Sequence, residues 1–239
     1  VRYPEYKPSE DKWAIRQSGI YHRFNTTTSQ SLFVLFSPTP KSKAHQKAEE
    51  WLLNHRQEAK TEPFWLHRVL FSTYFPAWRQ YNAALERKLL PITNSTFATY
   101  IDEPLRLGYN NLSTMISLEN RFLQIPAILA PATDVLNEIC ILLGSISEIV
   151  ANHPGTQQLK NHHRQCIAYS RTAAHLQQRV QTTAQLLTDT LLFRDQIVAK
   201  EQSGNMLQLN KSAVFITTLT LLYLPSSFLA VSSFPCCLI

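Results

Sequence analysis

The spacing of apolar residues changes twice along the chain, and each change marks a different kind of element. Near the N-terminus, aromatic and branched residues come in short runs with polar breaks. Trp13 to Phe24 reads as one or two short strands, Asn25 to Gln30 as a turn, and Ser31 to Phe36 as a second strand, together predicting a hairpin. Residues 1–12, charged and interrupted by Pro4 and Pro8, read as an irregular lead-in. After Pro40 the apolar positions recur every three or four residues, the helical rhythm. Residues 41–60, carrying Ala44, Ala48, Trp51 and Leu52, predict one amphipathic helix. A second helix starts at Glu62-Pro63, is interrupted or kinked at Pro76, and continues through Trp78, Tyr81, Leu85 and Leu89 to Pro91. Thr96 to Ile101 reads as a last short strand.

From Asn111 onward the pattern is helical throughout. One helix is predicted to end at Pro126, and Thr133 is predicted to cap another that stops near His153-Pro154-Gly155. A very long helix then begins at about Thr156. Cys166, Ala173, Val180 and Leu187 lie seven apart, Tyr169 and Leu176 fill the alternate seam positions, and the seam drifts to Ala184, Leu191 and Val198. To Lys211 such a helix would reach roughly 80 Å, with Ser203-Gly204-Asn205 as its weakest point. The second change of rhythm follows. From Ser212 to Ile239 there are 28 residues without a single charge. A bilayer core about 30 Å thick needs about 20 mostly apolar helical residues, so this run is long enough to span once.

The fold class expected is therefore α+β. A small α/β part spans residues 1–110, a helical part with a long stalk helix spans 111–211, and a C-terminal transmembrane segment spans 212–239. Charge sharpens the picture. All 23 Lys and Arg precede the apolar run, against 17 acidic residues, for a formal net charge of +6. Beside a membrane segment, a basic body points to anionic lipid, and the positive-inside rule places it in the cytoplasm. No aromatic-and-basic cluster on a strand accompanies the charge, so nucleic acid is not the expected partner. Four cysteines without metal-site or disulfide spacing fit a reducing compartment. The stretch from Val1 to Trp13 has no apolar core of a signal peptide.

The polar motifs carry little chemistry. No arrangement of Ser, His and Asp, no phosphate-binding loop and no paired acids stand out, and an enzyme is not expected. His162 and His163 point about 100° apart on a helix and read as solvated, as do His153 and His175. Asp189, Asp195 and Glu201 lie six apart on the long helix, where they read either as charge partners of Arg194 and Lys200 or as carboxylates for a hydrated Mg²⁺. Asn25, Asn94 and Asn111 head glycosylation sequons that a cytoplasmic body would not use. Cys236-Cys237-Leu238-Ile239 has the outline of a prenylation box with an unusual last residue.

The order of parts, with Trp13–Phe24 and Leu32–Phe36, Trp78-Arg79-Gln80-Tyr81, Leu118-Glu119-Asn120-Arg121-Phe122-Leu123 and Thr218 to Ala230, resembles the CorA-like divalent-cation transporters of fungi. The likeness covers most of the chain through motifs that are individually weak. It implies a pentameric assembly in a lipid bilayer, Mg²⁺ as the cation, and Asn210, Ala213, Ile216, Leu224 and Ser227 along a pore. It also implies a Gly-Met-Asn signature nine to eleven residues past the membrane proline, where this chain has Phe234-Pro235-Cys236, and a second membrane helix, before which the sequence stops. The expectation is a relative that does not conduct alone. The alternative is a membrane-anchored helical scaffold or regulatory protein that uses the seam from Cys166 to Val198 for partner helices.

Overall fold

The computed structural model describes residues 1–8, 12–25, 27–28, 30–98, 107–146 and 154–232, the side chains of Ile146 and 224–232 excepted. Four strands come first. β1 (Arg2–Lys7) pairs antiparallel with β2 (Lys12–Gln17), from Arg2 opposite Gln17 to Lys7 opposite Lys12. β3 (Gly19–Asn25) pairs with β4 (Gln30–Phe36), from Gly19 opposite Phe36 to Asn25 opposite Gln30. In the turn of this second hairpin the Asn25 side chain accepts hydrogen bonds from the backbone N–H of Thr27 and Thr28, at 2.9 and 3.3 Å. The expected hairpin is thus present, and the expected irregular lead-in is instead a strand. Pro4 has no N–H to give, but β1 is an edge strand of a two-stranded sheet, where proline is tolerated.

A two-stranded hairpin is marginal in water by itself, and both are held by helices. These are α1 (Lys43–Asn54), α2 (Arg56–Thr61), α3 (Trp65–Tyr74) and α4 (Pro76–Ala98). Tyr3 of β1 stacks on Tyr74 with ring centres 3.7 Å apart, Trp13 of β2 meets Tyr81 edge-on, and the Trp78 indole donates to the Arg2 carbonyl at 3.2 Å. On the second hairpin, Phe33 packs edge-on against Trp65. Ser42 caps α1 by accepting from the His45 N–H. The single helix expected over 41–60 is divided at His55. The break at Pro76 is where expected, since proline suits a first helical position. Pro91 does not end α4, which runs on to Ala98, so Thr96–Ala98 is helix and not strand. Residues 99–101 lie outside the described set.

α5 (Tyr109–Ile146) is one helix that passes through Pro126 and Pro131. Thr133 is therefore no cap; its hydroxyl bonds to the Leu129 carbonyl and to Cys166 Sγ, each at 3.1 Å. The reason is a continuous buried stripe: Met115, Leu118, Phe122, Ile125, Leu129, Ala132, Leu136, Ile139 and Leu143, alternately three and four apart. An interior proline costs about 3 kcal/mol. Nine buried side chains, several worth about 1.5–3 kcal/mol each, outweigh two of them.

α6 (Pro154–Ser232) is the expected long helix, and it continues through Ser203-Gly204-Asn205. The chain divides into two units, Val1–Leu186 and Leu187–Ile239. Within the first, α5 and the opening part of α6 run antiparallel: Gln181 Nε2 donates to Glu119 Oε1 at 2.7 Å, while Cys166 lies beside Thr133. α4 joins them through Asn82, whose amide donates to the Tyr169 carbonyl at 3.4 Å, and buries Trp78, Tyr81, Leu85, Leu89 and Ile92. The result is a three-helix packing with coiled-coil spacing. Of the expected seam, Cys166, Ala173, Leu176, Val180, Leu187 and Leu191 are buried and Tyr169 half-buried. Thr183 replaces Ala184 as the fully buried member, and Val198 is exposed, so the seam ends at Leu191.

The second unit is the rest of α6. Beyond Leu191, Phe193, Met206, Leu207, Leu209, Val214, Phe215, Ile216, Leu221 and Leu222 are all exposed.

A second candidate for the membrane lies mid-chain. Among the described residues, the helix with membrane-spanning length and hydropathy is Tyr109–Ser145, which is mid-chain and not C-terminal. Its apolarity has a partial explanation in the bundle. One stripe faces the core, while Tyr109, Ile116 and Leu123, seven apart, form a second, exposed stripe. An ordinary bundle helix would be polar there.

Candidate functional site

The described part of the second unit carries the five positions of the expected pore register. Asn210, Ala213 and Ile216 lie on α6 and are exposed; Leu224 and Ser227 are also on the helix, with side chains outside the described set. By helical geometry all five fall within about a third of the circumference. A feature not anticipated lies among them. The hydroxyls of Thr217, Thr218 and Thr220 donate to the carbonyls of Ala213, Val214 and Ile216 at 2.7–2.8 Å. Each polar side chain is thereby satisfied by its own helix, which removes the main cost of putting threonine in hydrocarbon.

The carboxylates do not assemble. Asp189, Asp195 and Glu201 are exposed on α6, and six residues is one and two-thirds turns, so successive members point about 120° apart. Among the described residues no three His, Cys, Asp or Glu side chains are grouped to hold a metal.

The polar chemistry of the first unit is concentrated where α2, α3 and the start of α6 meet. Glu62 follows α2, and its buried carboxylate accepts two hydrogen bonds from Arg68 of α3, Nε to Oε1 at 2.9 Å and Nη2 to Oε2 at 2.7 Å. The third arm of Arg68, Nη1, donates to Gln158 of α6 at 3.2 Å. Its guanidinium carbon lies 5.1 Å from the centre of the Trp51 ring, which stacks on Trp65 at 4.7 Å. The carboxylate also sits against the first turn of α6. A β-carbon at Gly155 would fall 2.6 Å from the Glu62 carboxyl carbon and closer still to Oε1. Only glycine fits there without displacing a carboxylate that Arg68 holds at both oxygens. A negative group at a helix N-terminus is stabilising, so this cluster fixes where α6 begins.

One turn along, His162 Nε2 is 3.0 Å from Ser72 Oγ, and its Nδ1 is 3.2 Å from Gln165 Oε1. His162 is therefore not the freely solvated residue expected: it is half-buried and edge-on to Phe75. Burial lowers its pKa, and the nearby Arg68 charge adds to the effect. The serine–imidazole–amide chain has the outline of an activated hydroxyl. Ser72 lies in the last turn of α3, however, where backbone N–H groups are spent on i−4 carbonyls, and among the described residues no oxyanion donor pair is offered. The three residues form a polar clasp between α3 and α6. His175 is exposed, and His153 lies outside the described set.

A second pair of histidines, not singled out by the sequence, joins the β3–β4 hairpin to α3. His22 stacks on Phe33, and its ring centre lies 5.3 Å from those of Phe64 and His67. Burial, reinforced by His22, lowers the pKa of His67 to about 4, and burial also lowers that of His22. The folded state thus resists protonation. The stability contributed is full above the unfolded value near 6.5 and is lost as pH falls from about 6.5 towards 4. On the order of 2–3 kcal/mol is at stake for His67. Denaturant midpoints at pH 7 and pH 4.5 should drop steeply between the two in the native chain and much less in His67→Leu; equal slopes would contradict the assignment.

No family model and no curated protein matches this chain.

Proposed function

We propose that this is a membrane-anchored, CorA-like protein related to Mg²⁺ or similar divalent-cation transport, one that does not conduct alone. The observation that carries the reading is the charge-free run Ser212–Ile239. Its described part has no protein cover: Val214, Phe215 and Leu222 are 64%, 67% and 69% exposed. So much contiguous apolar surface is unfavourable in water and calls for lipid or protein around it. Further support comes from the order of parts, a small β-rich front, a helical middle and a long last helix. α5 is the weaker candidate for the bilayer, because its inner stripe is buried in the bundle and it carries Glu119, Arg121, Asp134 and Glu138.

Conduction is a separate matter. Phe234-Pro235-Cys236 supplies no Gly-Met-Asn, and a pore lined by this helix needs a ring of subunits. In vesicles containing only this protein and a trapped Mg²⁺-sensitive dye, uptake should equal that of empty vesicles. Uptake above that blank, saturable in Mg²⁺, would show that the chain conducts. A five-fold ladder on cross-linking would favour the transporter lineage.

The scaffold alternative keeps one specific support, the exposed stripe Tyr109, Ile116 and Leu123 of α5. The seam first suggested for it is not free, since its members from Cys166 to Leu191 are buried apart from the half-buried Tyr169 and Ala184. A complex with an unrelated helical protein, lost on Leu123→Asp, is the result that would favour it.

A further inference from the structure

A cleft of about 350 Å³ opens in the first unit between the two hairpins, α3 and α5. Its volume is at the small end of the range of about 300–1,000 Å³ typical of small-molecule sites. Most of its wall is apolar, made by Ile20 of β3, Leu70 and Phe71 of α3, and Ile128, Pro131 and Ala132 of α5. The polar side chains come from the hairpins and α3: Arg2 and Gln17, an opposed cross-strand pair, and His67. Arg2 Nε donates to Gln17 Oε1 at 3.3 Å, and among the described residues no acidic side chain lines the cleft. His67 contributes unused capacity, because its Nδ1 is buried without a hydrogen-bond partner.

This is an apolar slot with a cationic, hydrogen-bonding rim, and the combination selects among ligands. A cation would meet Arg2 without a counter-charge. A fully apolar molecule would leave the guanidinium and the Gln17 amide to water. A carboxylate matches the planar donor fork of arginine, and its apolar body would cover the aliphatic wall. We propose that the cleft binds a small monocarboxylate with a compact apolar body, its carboxylate on Arg2 and Gln17 and its body against Leu70, Phe71, Ile128 and Ala132. Nothing in this assignment depends on the membrane or on cation transport.

The test uses the full chain in lipid nanodiscs, with empty nanodiscs as the blank, titrated calorimetrically with 4-phenylbutyrate and with its uncharged amide. Saturable binding of the acid is expected, with the amide weaker by about tenfold or more. Arg2→Leu, at an exposed strand position, should weaken the acid by a similar factor and leave the amide unchanged. Ala132→Phe should block both; because that substitution at a buried position threatens folding, Val135→Phe on the exposed rim serves as the second blocking variant. The proposal is overturned by equal affinity for acid and amide, by an Arg2→Leu chain that binds the acid normally, or by no saturable binding into the millimolar range.

Discussion

Arg68→Met should destabilise the first unit by about 3 kcal/mol, because it strands the Glu62 carboxylate in a buried position. Breaking a buried ion pair from one side costs about 3–5 kcal/mol. The lower end applies because the carboxylate keeps its place at the N-terminus of α6, which is worth up to about 2 kcal/mol in a partly buried geometry. The side chains of Glu62 and Arg68 are only 6% and 14% exposed, so water cannot take over the role of the guanidinium. The pair as a whole is a different quantity. Replacing both charges by apolar residues of similar size is often neutral, so Arg68→Met with Glu62→Leu should return to within about 1 kcal/mol of the native chain. Chemical denaturation of the two single variants and the double variant in one detergent measures the coupling. Additive losses would mean that the two side chains act independently, against the geometry.

Phe122→Ala should cost about 3–5 kcal/mol, whereas Leu123→Ala should change stability by no more than about 0.5 kcal/mol. The two residues are neighbours on α5 and both are large and apolar. Phe122 is completely buried in the three-helix core, and Leu123 lies on the outward stripe. The contrast tests the register of the helix through Pro126 and Pro131. If α5 were instead two helices broken at the prolines, the second would be free to rotate, and the matching pair Leu136→Ala and Val135→Ala would lose its contrast. Comparable losses at positions 122 and 123 would mean that the outward stripe is also covered in the folded protein.

Local rhythm was enough to find the β3–β4 hairpin, the break at Pro76 and the long helix from residue 154, because each is written in consecutive residues. It failed where a distant partner decides the outcome. β1 is a strand because Tyr3 and the Arg2 carbonyl find Tyr74 and Trp78, more than seventy residues away. α5 survives its prolines because α4 and α6 reward an unbroken stripe, and proline signals alone cannot weigh that gain. Val198 fits the heptad spacing yet stays exposed, since spacing identifies a face without supplying the partner.

The candidate sites divide in the same way. The charge-free run was legible. The Glu62–Arg68–Gly155 cluster was not, because its members are ordinary residues until the fold brings Gly155 against the carboxylate. The threonine back-bonds could have been anticipated. Threonine in a helix has the i−4 or i−3 carbonyl within reach, and the exposed Thr114, Thr172 and Thr182 of the first unit make the same bond.

The central claim is that the segment after Lys211 holds this protein in a bilayer. Its most direct test is flotation with vesicles of neutral and anionic phospholipid, followed by washing in alkaline carbonate. The full chain should float and resist the wash, while a chain ending at Lys211 should stay at the bottom of the gradient. If the shortened chain floats equally well and Leu123→Asp releases it, α5 is the membrane element and the C-terminal assignment is wrong.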